Sequence, residues 1–214
     1  LTRLVDDLLD VTRIARGKIQ LHRERLDLRD LVRRTGEDFR SLLEENGTAY
    51  EVHLPDVRVH VDADGTRLAQ VIGNLLHNAA KFTRRGDRVT LALEVAGETA
   101  RVRVRDTGAG IDPALLPTVF EPFVQADRTL ARSDGGLGLG LALVRGIVAL
   151  HGGTVRAESA GHGHGTTFTV DLPVAGAAAA LPSPRGAGPQ AAPRRVLVVD
   201  DNRDAADSLA VLVG

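Results

Sequence analysis

Between Leu68 and Ala79 the chain carries an apolar stripe of helical period, and beside it stand Asn74, Asn78 and Lys81. At about 100° per residue these three fall within an arc of roughly 60°. Two carboxamide oxygens and an ammonium on one helix edge suit a magnesium-bound polyphosphate. An amide oxygen is a hard ligand that Mg2+ accepts while it keeps several waters, and lysine neutralises phosphate charge. Taken alone, the pattern is more often a solvated helix edge.

Two glycine-bearing segments add to it. Asp106-Thr107-Gly108-Ala109-Gly110 stands where a strand ends. A carboxylate there can accept a hydrogen bond from an exocyclic amine such as that of adenine. Such a bond contributes roughly 1.5–3 kcal/mol and disfavours guanine, which presents a carbonyl at that position. The two glycines let the backbone approach a flat ligand. Alone, Asp-x-Gly-x-Gly is more often a turn. Gly135-Gly136-Leu137-Gly138-Leu139-Gly140 opens a helix. Backbone N–H groups at such a start make an anion site, and glycine richness lets the preceding loop close over a nucleotide. A dinucleotide-binding reading needs a strand directly before the glycines, whereas an irregular loop of about 25 residues precedes them.

The elements that must position these residues follow from periodicity. Leu1, Leu4, Leu8 and Val11 predict a helix to about residue 16, a bundle seam with Asp6, Asp7 and Asp10 between its apolar positions. A connector follows, then a helical stretch around Leu28 to Glu45. Val57, Val59 and Val61 alternate as in a half-buried strand, and Asp64 caps a helix running to about Lys81. Val89 to Val95 and Val102 to Val104 form a hairpin turning at Gly97, with a short helical turn near Pro113 beyond it. Leu137 to Leu150 is a buried helix, and Thr154 to Glu158 and Thr166 to Leu172 are strands. The predicted fold is α+β: a two-layer sandwich of a mixed, mainly antiparallel sheet with helices on one face, preceded by a bundle helix.

Bulk properties set limits. The chain has 214 residues, 43% apolar and 26% charged, with a formal net charge of -1, so no global basic field points to nucleic acid. Cysteine is absent, which excludes a disulfide framework. No apolar run reaches the roughly 18 residues of a membrane span. A cytoplasmic chain is expected, whether or not its parent is membrane-anchored. Methionine is absent, so the chain is expected to begin inside a longer polypeptide. Residues 174–194 are rich in Ala, Pro and Gly and read as a flexible linker. Beyond it, residues 195–214 open with a predicted apolar strand ending at Asp200 and Asp201, and are expected to be the start of a truncated second domain.

In this order the segments resemble sensor histidine kinases, whose catalytic domain shares its fold with type II topoisomerase and mismatch-repair ATPases. QVIGNLLHNAAKFT resembles the asparagine box, DTGAGI the first glycine box, EPFVQ the phenylalanine box and GGLGLGLALV the second glycine box. LVDDLLDVTRIARGKIQL resembles the end of the second dimerisation helix, and RRVLVVDDN the opening of a response-regulator receiver domain. The resemblance implies a hybrid kinase: dimerisation helix over 1–20, ATP-binding catalytic domain over 21–173, linker, and receiver start over 195–214. ATP and Mg2+ are the implied cofactors. Asn78 would be the main Mg2+ ligand, Asn74 would help position metal and phosphates, and Lys81 would contact phosphate. Asp106 would bind the adenine amine, with Gly108 and Gly110 lining the base and Thr166 bonding near it. Gly136, Gly138 and Gly140 would shape the lid, and Arg132 matches a lid arginine on the γ-phosphate. Phe82 would pack near the base, while Phe120 and Phe123 would anchor the lid or fill core. Asp200 and Asp201 would hold Mg2+ in a complete receiver.

Hydrolysing relatives place a glutamate base one turn before the metal-binding asparagine. Here that position is Asn74, which cannot take a proton from water. Phosphoryl transfer to a neutral imidazole is the expected reaction instead. The family's acceptor histidine is followed by an acidic residue on the first dimerisation helix. None of the seven histidines has that setting, so the acceptor is expected on a dimerisation domain of the same parent. The other implied partners are a receiver domain or response regulator, and a second copy in a homodimeric parent.

Overall fold

The computed structural model describes residues 2–15, 19–125 and 137–176. Arg132, Gly136, Asp200, Asp201 and the linker and receiver segments from residue 177 onward lie outside the described residues. The helices are α1 (Thr2–Ala15), α2 (Leu28–Asp38), α3 (Arg40–Glu45), α4 (Gly65–Phe82) and α5 (Gly140–Leu150). The strands are β1 (Glu24–Asp27), β2 (Ala49–His53), β3 (His60–Ala63), β4 (Arg88–Ala96), β5 (Thr99–Asp106), β6 (Thr154–Glu158) and β7 (Thr166–Pro173).

Five strands form one sheet in the order β2-β4-β5-β7-β6. Only β2 and β4 run parallel; every other neighbouring pair is antiparallel. Alternation along β4 and β5 sends Val89, Leu91, Leu93, Val102 and Val104 inward. They meet Leu68, Val71, Ile72 and Leu75 of α4 and Leu143, Val144, Ile147 and Val148 of α5 in one buried cluster. The opposite face is charged. There Asp171 accepts from Arg101 at 2.6 Å and Arg156 at 2.8 Å, tying β5, β7 and β6 together. Burial alone would raise the Asp171 carboxyl, but the two guanidiniums hold it below its ordinary value.

The expected α+β sandwich, mixed sheet and terminal helix are all present. Three local expectations shift. The stretch from Leu28 to Glu45 is two helices that part at Phe39, whose N–H bonds to the Gly36 carbonyl at 3.3 Å. The strand expected from Val57 begins at His60. The backbone of Val59 is committed to the start of α2: its carbonyl takes the Leu28 N–H at 2.7 Å and its N–H meets Asp27 Oδ1 at 3.2 Å. The connector before α2 contains β1, which pairs antiparallel with β3.

The terminal helix α1 docks on the domain. Asp10, expected between the apolar positions, is 8% exposed and accepts from Arg67 Nη1 at 2.5 Å and Gln70 Nε2 at 3.2 Å. Gly146 leaves room for Ile14; a Cβ there would lie 2.7 Å from Ile14 Cγ2. Leu8 and Leu9 stay exposed on the other side of the helix.

The start of α4 and the end of α5 meet at a buried histidine. Asp64 Oδ1 caps α4 through Arg67 N–H at 3.1 Å, while Oδ2 accepts from His22 N–H at 3.1 Å. The Asp64 N–H donates to His151 Nε2 at 3.0 Å, and the other ring nitrogen lies 2.8 Å from the Ile147 carbonyl. Since a carbonyl only accepts, Nδ1 carries the proton and the ring is neutral. Burial pushes the His151 imidazole below its ordinary value, against the raising effect of the Ile147 bond. The folded state therefore resists a proton that the unfolded chain accepts near pH 6.5. Stability is expected to be flat above about pH 7 and to fall as pH drops below about 6.5. Melting curves across pH should show this slope in the native chain and lose it in His151→Gln.

Candidate functional site

The site grows from the edge of α4. Asn74 is buried at 8% exposure, Asn78 is half-buried and Lys81 is exposed, a gradient from core to solvent along one helix edge. Gly140 opens α5 directly over this edge: a Cβ on it would lie 3.8 Å from Asn74 Cγ and Oδ1. The N-terminal N–H groups of α5 thus begin beside the asparagine edge. In the last turn the Lys81 ammonium lies 5.3 Å from the Phe82 ring centroid, and Phe82 is 38% exposed.

The end of α4 also anchors the loop after β5. The Phe82 carbonyl, which has no intrahelical donor, accepts the Ala109 N–H at 3.0 Å. A Cβ on Gly108 would come within 2.2 Å of that carbonyl oxygen. The close approach expected of this glycine toward a ligand is thus already required by the protein's own backbone. Gly110 is alike: with φ +71 it passes Gly161, whose carbonyl oxygen would lie 2.1 Å from an added Cβ.

Asp106, 4% exposed at the end of β5, is held by this loop and by β7. Its Oδ1 accepts from Gly108 N–H at 2.9 Å and Thr166 N–H at 3.2 Å. Both bonds use one oxygen, so Oδ2 remains the acceptor for a ligand donor. Burial raises the Asp106 carboxyl above its ordinary value, and the two N–H groups oppose the rise. Thr166, itself buried, faces Asp106 across the β5–β7 register. The two border a shallow surface depression with Ser159, His164 and Gly165.

A third contact joins the phenylalanine segment to the second glycine segment. Phe123 N–H donates to the Gly138 carbonyl at 3.0 Å. Both residues are left-handed, Phe123 at φ 66 and Gly138 at φ 72. Phe123 is 65% exposed despite that strained backbone. Phe120, by contrast, fills core, its ring edge-on to Phe168 at 6.2 Å. Glu121 pairs with Arg145 of α5 at 2.8 Å.

Among the described residues the fold therefore gathers Asp106, Gly108, Gly110 and Thr166 at one end of α4, and Asn74 with Gly140 midway along it. Sequence reasoning passed over Ser159, whose hydroxyl binds both glycine-rich loops around Asp106. The run Ser159-Ala-Gly-His-Gly-His-Gly165 held the signal, since three glycines in five positions mark a tight backbone crossing.

Comparison with known proteins agrees with the fold. The family described as histidine kinase-, DNA gyrase B-, and HSP90-like ATPase matches residues 63–176. The histidine protein kinase DivJ of Caulobacter vibrioides is 38% identical over 183 residues, covering 85% of this chain and 30% of DivJ. A mycobacterial sensor histidine kinase, MprB, is 31% identical with a TM-score of 0.61, covering 71% of this chain and 98% of that one. Full-length ShkA in complex with AMPPNP is 31% identical with a TM-score of 0.71, covering 80% of this chain and 35% of that one. The chain spans 12% to 30% of the length of the curated relatives it matches.

Two substitutions separate the site's scaffold from its chemistry. Gly108→Ala drives a methyl into the Phe82 carbonyl and is expected to destabilise the fold by about 3 kcal/mol, read from denaturant unfolding. Asp106→Asn keeps an oxygen for both N–H groups and removes a buried ionisable group. Because the folded carboxyl titrates above its unfolded value, the native chain loses stability as pH rises through that window. The asparagine variant without nucleotide should therefore melt at the same or a higher temperature at pH 7, and if Asp106 receives the base it should gain less stability from ATP than the native chain.

Proposed function

Because the chain belongs to the histidine kinase-, DNA gyrase B-, and HSP90-like ATPases, and carries the ATP-binding catalytic domain of a histidine kinase, we propose that it transfers the γ-phosphoryl group of Mg-ATP to a histidine on a dimerisation domain. The observation that carries the reading is the buried Asp106 carboxylate, whose Oδ1 is taken by Gly108 and Thr166 while its loop is bonded to the end of the helix bearing Asn78 and Lys81.

In this reading Asp106 Oδ2 accepts the adenine 6-amine, with Gly108, Gly110 and Thr166 around the base. Lys81 supplies an ammonium that neutralises phosphate charge. Asn78 is the Mg2+ ligand, and buried Asn74 holds the edge beneath Gly140. The donor set fits: a half-buried carboxamide oxygen on a rigid helix supplies one hard ligand and leaves the remaining positions to water and phosphate. When bound, Mg2+ offsets the charge of the phosphate oxygens. We assign Arg132, Gly136, Gly138 and Gly140 to the lid, with Arg132 as the residue for the γ-phosphate. Asn74 stands where a hydrolase keeps its carboxylate base, which favours transfer over hydrolysis. The acceptor imidazole supplies the nucleophile, so the domain's task is to position and neutralise.

We assign residues 1–20 to the end of the dimerisation helix, 21–173 to the catalytic domain, 174–194 to a linker and 195–214 to the start of a receiver, where Asp200 and Asp201 begin an acidic metal site. The parent is then a homodimeric hybrid kinase that passes phosphate to its own receiver or to a response regulator.

Incubating the chain with γ-labelled Mg-ATP and a separately supplied histidine-bearing dimerisation domain tests the proposal. Acid-labile label should appear on the supplied domain, and Asn78→Ala should lower its rate by about 100-fold. Transfer at the native rate by Asn78→Ala would remove Asn78 from the metal's coordination.

A further inference from the structure

Ser159 follows directly after β6, half-buried, and its hydroxyl is saturated by backbone. Oγ donates to the Gly165 carbonyl at 2.7 Å and accepts from Ile111 N–H at 3.0 Å and Gly161 N–H at 3.3 Å. One proton and two lone pairs are all that a serine hydroxyl has. Each partner belongs to one of the two loops that frame Asp106. Ile111 continues the loop that places Gly108 N–H on Asp106 Oδ1. Gly165 precedes Thr166, whose N–H is the second donor to that oxygen.

The two loops are also threaded tightly together. Gly165 N–H donates to the Gly108 carbonyl at 3.2 Å, and Gly163 N–H to the Ala109 carbonyl at 2.7 Å. With φ +70, Gly165 crosses the Asp106 backbone so closely that a Cβ would meet the Asp106 carbonyl oxygen at 2.1 Å. Ser159 adds a side-chain bond to each loop beside these backbone bonds, so its hydroxyl helps to set their separation. That separation fixes the angle between the two N–H donors, and therefore the direction in which Oδ2 points.

We propose that Ser159 is a positioning residue for nucleobase selectivity: through Ile111 and Gly165 it aims the Asp106 carboxylate at the 6-amino group of the purine. The proposal rests on the reading of Asp106 as the acceptor of that amine. Loss of the hydroxyl lets the loops separate and the carboxylate turn. A nucleotide with the amine then loses its advantage, while one without it has nothing to lose. Triphosphate contacts lie on the α4 edge and are unaffected.

The test compares dissociation constants of Mg-ATP and Mg-purine riboside triphosphate, which lacks only the amine, for the native chain and its variants by calorimetry. The native chain should prefer ATP by about tenfold or more. Ser159→Ala should reduce the preference to roughly threefold or less, through weaker ATP binding at unchanged affinity for the purine analogue. Ser159→Thr, which keeps the hydroxyl, should restore it. Should the alanine variant not fold, Ser159→Cys carries the same expectation, being near in shape but a weak acceptor. An undiminished preference in Ser159→Ala overturns the proposal, and so does an equal loss for both nucleotides, the result of a purely structural hydroxyl. Asp106→Asn separates the two levels. If the native chain shows no preference for ATP, the reading of Asp106 fails and the proposal with it. If Asp106→Asn erases the preference and Ser159→Ala keeps it, the role of Ser159 alone is overturned.

Discussion

The Phe82 carbonyl closes α4 and opens the site. A helix end leaves its last carbonyls without intrahelical donors, and here one of them receives the Ala109 N–H from the loop after β5. That bond requires a residue without a side chain at Gly108, since a methyl would overlap the oxygen. The same element that presents the asparagine edge thereby fixes the height of the loop holding Asp106. In the proposed reading, base recognition and phosphate handling share one rigid helix, and their separation cannot drift independently of it.

The core enforces this arrangement from below. Leu68, Val71, Ile72 and Leu75 seat α4 on the sheet, while Leu143, Val144 and Ile147 seat α5 beside it. At the far end Asp64 and His151 bond the two helices to each other, with every polar atom of the imidazole in use. Polar groups buried in this way cost stability if they lose a partner. They therefore specify one relative placement of α4 and α5, where an apolar contact would accept several.

The long periodic elements were legible from residue types alone. α4 with its Asp64 cap, the β4–β5 hairpin, α5 and the two final strands all stand within a few residues of their expected bounds. The short strands were not. In β2 only Tyr50 and Val52 alternate, too few to distinguish from a loop, and its parallel pairing to β4 is a long-range choice that no local pattern encodes. The burial of Asp10 was not legible, because its partners Arg67 and Gln70 lie about sixty residues on. In the site, residue chemistry pointed to Asp106 and the α4 edge. The purpose of the glycines was half hidden, because the carbonyls they avoid, Phe82 and Gly161, are chosen by the fold. The partners of Ser159 were hidden for the same reason, although the glycines that follow it mark a backbone crossing.

The second bond to Asp106 Oδ1 comes from a residue 60 positions further along the chain. Contacts of such separation form only after much chain entropy has been surrendered, so β5 and β7 must zip together before the carboxylate has both donors. A partly folded chain can own the asparagine helix and still lack a finished acceptor for the base. If Asp106 receives the base as proposed, nucleotide favours the completed state, and by mass action raises the population of that state with its concentration over its dissociation constant. On that reading ATP is a folding ligand of the domain as well as a phosphate source.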